Sequence, residues 1–106
     1  MLLLGGDNLA NTAFPKQPAE ILPIEIDFIY YCNSTELITS VSATATNNVG
    51  IDVTSSIIDT STVADNVVKV VVKNGTNGKR YKITVRAYTD EGNKYEEDIP
   101  MDVVEE

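Results

Sequence analysis

The 106-residue sequence has no histidine, no tryptophan and only one cysteine. Without histidine the chain lacks the usual general base near neutral pH and the commonest metal ligand. Cys32 stands alone, so no internal disulfide can form and a disulfide-stapled secreted module is excluded. It reads as a small buried hydrophobe, not a reactive thiol. Basic residues are scarce too: 8 Lys and Arg against 16 Asp and Glu give a formal net charge of -8. That balance argues against a nucleic-acid partner, because phosphates need a basic surface. No apolar run approaches a membrane span, and Met1-Leu2-Leu3-Leu4 is too short for a signal core and has no basic residue before it. A soluble product without a signal peptide, made in a reducing cytoplasm, is expected.

What the chain does have is Val, Ile and Thr, residues that fit a pleated, half-buried surface better than a helix. Residues 1–22 show no period, and Pro15 and Pro18 favour an extended or mobile arm. From Ile24 the pattern alternates: Ile24, Ile26 and Phe28 point one way, Glu25 and Asp27 the other. Further strands are predicted over 41–46, briefly over 49–53, over 66–73, over 81–88 and over 93–104. The Ser/Thr-rich stretch 54–65 reads as a loop or short edge strand anchored by Ile57 and Ile58. The unbroken apolar run Val67 to Val72 predicts burial on both sides for part of its length. Six to seven short strands with turns between them, and no helical period, give an all-β fold: an immunoglobulin-like two-sheet antiparallel sandwich with an extended N-terminal arm. The expected division is an arm over 1–22, the sandwich over 23–104 and an acidic tail at 105–106.

The last two strands can be set in register. A three-residue loop Asp90-Glu91-Gly92, with Gly in the left-handed position, is a common hairpin connection. It puts Arg86 opposite Glu96, Ile83 opposite Ile99 and Lys82 near Asp98. A two-residue loop would turn Ile99 and Met101 outward, because a slip of one residue exchanges the faces. The chosen register leaves Glu97 on the inner face, which predicts a bulge or an exposed strand end there. Residues 66–88 carry six cations and no acid, whereas 90–106 carry eight acids and the single Lys94, so neighbouring strands are expected to have complementary outer faces.

Catalytic chemistry has little to build on. No spacing sets a Ser or Thr beside an activating group. Glu96, Glu97 and Asp98 are adjacent on a strand and alternate in direction, so they form no dyad. The EF-hand spacing is absent, and the glycines of 74–78 match no phosphate loop. The expectation is a non-enzyme with no cofactor, no metal, no small-molecule substrate and no membrane partner.

The stretch Gly78-Lys79-Arg80-Tyr81-Lys82-Ile83-Thr84-Val85 resembles the entry to strand F in fibronectin type III and related immunoglobulin-like domains. There a tyrosine bonds its hydroxyl back to the upstream chain, the tyrosine corner. Tyr81 would hold that role, with Gly75 and Gly78 shaping the corner. Three stretches together resemble the fiber-tail adaptor family of short phage and prophage tail proteins. They are Lys16-Gln17-Pro18 running into Ile24-Glu25-Ile26-Asp27-Phe28; Glu36 to Ser40 followed by a Thr-rich strand; and Val70 to Tyr81 with the Asp90-Glu91-Gly92 loop and final strand. The chain departs from that pattern at Asn74, where the corner usually begins with Gly, and at Phe28, where Trp often stands. The resemblance implies a non-catalytic structural virion protein of the tail, assembled in the bacterial cytoplasm. Its partners would be other phage tail proteins, with homo-oligomers one form of that assembly. Phe14, Pro15, Pro18, Tyr30 and Tyr31 are the candidate interaction residues. The rival reading is an immunoglobulin-like binding module of a bacterial surface or carbohydrate-active protein. Against it stand the few exposed aromatics, since a glycan platform needs a row of rings.

Overall fold

A strand that alternates β-branched and polar side chains has one dry face, and two such faces bury each other. The computed structural model describes residues 2–5, 13–29 and 31–105, and in it two four-stranded sheets meet in this way. In chain order the elements are β1 (Leu2–Gly5), β2 (Phe14–Lys16), β3 (Leu22–Asp27), β4 (Ile38–Asn47), the helical turn α1 (Thr54–Ile57), β5 (Ile58–Ala64), β6 (Val67–Val72), β7 (Lys79–Thr89) and β8 (Lys94–Val103). One sheet runs β1-β3-β6-β5 and the other β2-β8-β7-β4. From β3 to β8 this is the arrangement of an immunoglobulin-like sandwich, in which B, E and D share one sheet and C, F and G the other.

The core lies between the inner faces. Ile24, Ile26, Val68, Val70 and Val72 come from the first sheet, and Ile83, Val85, Ala87, Ile99 and Met101 from the second. Burying each larger aliphatic side chain stabilises the fold by about 1.5–3 kcal/mol. Phe28, just past β3, and Ile57 in α1 close the core at its ends. The β7–β8 register is the one expected from the three-residue loop: Arg86 lies opposite Glu96 and Ile83 opposite Ile99. Gly92 sits in the left-handed region at φ 82, as that loop requires.

The structure corrects several sequence expectations. Among the described residues eight strands form, six of them, β3 to β8, from Leu22 onward and two, β1 and β2, within residues 1–22. β1 runs parallel to β3 and β2 parallel to β8, so the sandwich is not purely antiparallel. Phe14 is buried in the core, in register with Met101, and the two described strands of that region each pair with one sheet, β1 with β3 and β2 with β8. Residues 49–53 form a turn with a single bridge, Thr46 to Asp52, and no strand. The Asn47 side chain accepts the amides of Val49 and Ile51, which curls the chain there. Glu97 needs no bulge: it pairs in regular register with Val85, and the Tyr31 hydroxyl donates to its carboxylate. Asp98 faces Thr84, whose hydroxyl donates to it at 2.8 Å, while Lys82 faces Pro100. In β6 only one face is fully dry. Val68, Val70 and Val72 are buried, whereas Val67 and Val71 are half-buried on the outer side.

Candidate functional site

Three loops meet at one end of the sandwich: residues 28–29 and 31–37 after β3, the Asp65-Asn66 turn between β5 and β6, and the β7–β8 hairpin loop. Asp65 and Asn66 both have positive φ, 52 and 64, as a two-residue hairpin of this kind needs. Asn66 then ties the loops together. Its carbonyl accepts from the Phe28 amide at 3.0 Å, its side-chain oxygen from the Ile38 amide at 2.9 Å, and its side-chain nitrogen donates to the Glu36 carbonyl at 2.9 Å.

The hub of this end is Glu36, only 2% exposed. Its carboxylate accepts from the Thr89 hydroxyl at 2.6 Å, the Asn93 side-chain nitrogen at 2.7 Å, the Tyr95 hydroxyl at 2.9 Å and the Asn33 amide at 3.2 Å. These donors, led by Thr89 and Asn93, outweigh the desolvation of the charge and pull the Glu36 carboxyl down to about 2. The Tyr95 hydroxyl is pushed up, first by burial and then by its bond to Glu36. Tyr31 lies between Phe28 and Tyr95, with ring centroids 5.4 and 5.6 Å away. Burial, followed by Glu36, Glu91 and Asp90, pushes the nearby Cys32 thiol up, so the reactive thiolate is disfavoured. The three loops are therefore tied together by a charged hydrogen-bond network centred on Glu36. This end still presents two large apolar side chains, Ile29 at 59% exposure and Leu37 at 58%, among Asp27, Asp65, Asp90 and Glu91. No Lys or Arg occurs in residues 27–38, 65–66 or 89–93.

The opposite end has a different character. Val49 and Ile51 project from the turn after β4, and Ile21 and Val104 are also exposed. Lys16 is buried there, donating to the carbonyls of Gln17 at 2.8 Å and Asn74 at 2.6 Å, with Pro18 at 3.3 Å. Burial pushes its amine down, against the opposing pull of Glu20. The Tyr81 hydroxyl accepts from the Thr76 amide at 3.0 Å, five residues upstream. Gly75 has φ 101, and a Cβ there would meet Val103 Cγ2 at 2.6 Å; Gly78 has φ 84 with open space around it. A shallow groove of about 710 Å³ opens beside this corner, lined by Asn47, Asn48, Gly50, Arg80, Tyr81 and Lys82. Arg80 clasps Asp102 with two hydrogen bonds of 2.6 and 2.9 Å.

The candidate interaction residues are not gathered into one site. Phe14 is core, Pro15 is exposed on β2, and Pro18 is half-buried in the turn after it. Tyr31 is half-buried in its aromatic row at the other end, and Tyr30 lies outside the described residues. Sequence reasoning missed Glu36 as a hub. The signal available was Asn33-x-x-Glu36, whose spacing resembles a capping box, and the Asn33 amide does bond the Glu36 carboxylate. Among the described residues no three His, Cys, Asp or Glu side chains are grouped to hold a metal ion.

Residues 16–102 match the family model of the Podophage GP4 fiber-tail adaptor protein gp77. The chain belongs to this fiber-tail adaptor family. The matched segment opens on the buried Lys16 and runs to Asp102, the partner of Arg80, so it takes in both ends of the sandwich. It also covers the stretches from which the resemblance was read. No curated protein matches the chain.

Proposed function

We propose that the chain is a non-catalytic structural protein of a phage tail, carried in the virion, and that it joins two other tail components by docking one at each end of its sandwich. Membership in an adaptor family implies contacts with other tail proteins. The observation that supports docking by the ends is the placement of exposed apolar side chains. Ile29 and Leu37 lie at one end, and Ile21, Val49, Ile51 and Val104 at the other. Strand faces carry mostly Ser, Thr and paired charges. Scattered exposed apolar residues are ordinary, but among the described residues all the large ones except Tyr88 on β7 lie outside the strands, near the ends of a body 43 × 21 × 21 Å in extent, which fits a spacer gripped at both ends. The acidic end suits a partner with a basic rim, because complementary potentials steer and orient docking.

The test uses the fiber and tail components of the same phage as separate baits. Ile29→Asp with Leu37→Asp should abolish capture of one bait and spare the other. Val49→Asp with Ile51→Asp should give the converse. If either pair removes both interactions, or neither pair removes any, end-docking is wrong.

A further inference from the structure

The edge of the second sheet points to a further contact, independent of end-docking. β4 is the longest of the four edge strands, and it carries no charged residue and no proline. Natural edges are commonly blunted by charges, prolines, bulges or shortness. β2, the other edge of the same sheet, is short and contains Pro15. At the far end of β4 the edge is covered. The Ala45 amide donates to the Thr54 hydroxyl at 3.0 Å, the Val53 amide donates to the Ala45 carbonyl at 2.8 Å, and the Asn47 amide donates to the Ile51 carbonyl at 2.9 Å. At the near end the register breaks between Ile38 and Ser40. Strand groups alternate in direction, so the outward-facing backbone groups at 45 and 47 place those of Val41 and Ala43 outward as well. No described group bonds them from that side.

We propose that this window, Ser40 to Thr44, pairs antiparallel with the same window of a second copy of the chain. The sequence Ser40-Val41-Ser42-Ala43-Thr44 has the same polar and apolar pattern in both directions, as a two-fold contact requires. With the axis at Ser42, Val41 of one copy meets Ala43 of the other, and each such pair exchanges two backbone hydrogen bonds. Ser42 then faces Ser42 in the closer, non-hydrogen-bonded position, with Cα atoms about 4.5 Å apart. Val41 and Ala43 are only half-buried in one chain, so a neighbouring strand covers the rest of both side chains. Each copy has a net charge of -8, yet this window brings no charge to the contact. The interface is small and its pairing weak in dilute solution, suited to copies held close in an assembly.

Cross-linking tests the register directly. In a Cys32→Ser background, Ser42→Cys should form a covalent dimer under mild oxidation at high protein concentration, because facing non-hydrogen-bonded positions suit disulfide geometry. Ser40→Cys and Thr44→Cys should each stay monomeric alone and cross-link only when mixed. Ala43→Pro removes only the outward N–H. It should keep the far-UV spectrum while abolishing the rise in native mass with concentration. Cross-linking of Ser42→Cys no faster than that of Ser40→Cys alone would overturn the proposal. So would a parental mass that stays at one chain up to the solubility limit, and this holds even if Ala43→Pro fails to fold.

Discussion

The Thr89 hydroxyl donates to the Glu36 carboxylate at 2.6 Å, joining the end of β7 to the loop that enters β4 across 53 residues of sequence. Because the bonded form is the charged one, this contact makes the loop end sensitive to acid. The folded carboxyl lies at about 2, below its ordinary value of 4.5. A depressed carboxyl contributes stability that is fully present above the ordinary value and lost as pH falls through the folded one. Thermal melts should therefore show Glu36→Gln less stable than the parent at pH 7, with the gap closing between about pH 4.5 and 2. A gap that stays constant over that window would mean that the charge on Glu36 contributes nothing to the fold.

Phe14 tests whether the first strands belong to the domain. It is 6% exposed and packed in the core beside Met101. Phe14→Ala should destabilise by about 3 kcal/mol through lost burial and the cavity left behind. Deleting residues 1–16 should lower the denaturant midpoint at least as far. Unchanged midpoints would show that β2 is a dispensable addition to the sheet.

At the Tyr81 corner two changes act by different means. Tyr81→Phe leaves the Thr76 amide without its acceptor and should cost about 1 kcal/mol. Gly75→Ala combines a left-handed backbone with a close approach to Val103 and should cost about 2–3 kcal/mol. Gly92→Ala, also left-handed but in open space, should cost only about 1 kcal/mol. Equal losses for the two glycines in chemical denaturation would remove the steric part of this account.

The outer face of the β7–β8 pair predicts a weak, register-specific coupling. Arg86 bonds Glu96 at 2.7 Å, with side chains 35% and 45% exposed. A double-mutant cycle should give about 0.2–1 kcal/mol, reduced by salt. The same cycle with Glu97 should give close to zero, because that carboxylate lies on the inner face against Tyr31. Coupling to Glu97 of the size expected for Glu96 would contradict the register.

Some of this structure is written in local sequence. The alternation of Ile24, Ile26 and Phe28 with Glu25 and Asp27, and the spacing around Asp90-Glu91-Gly92, determined strand faces and one hairpin register. They could do so because period and turn chemistry act over a few residues. The family resemblance rested on similar local stretches. Tertiary structure decided the rest. β2 is a three-residue strand containing a proline, too short to show a period, and it exists because β8 offers an edge and the core has room for Phe14. Lys16 and Glu36 are charged residues that composition assigns to the surface. Each is buried because donors or acceptors from distant segments converge on it: Asn74 for Lys16, and Thr89, Asn93 and Tyr95 for Glu36. Their burial depends on partners about 60 residues away, and no local pattern carries that information.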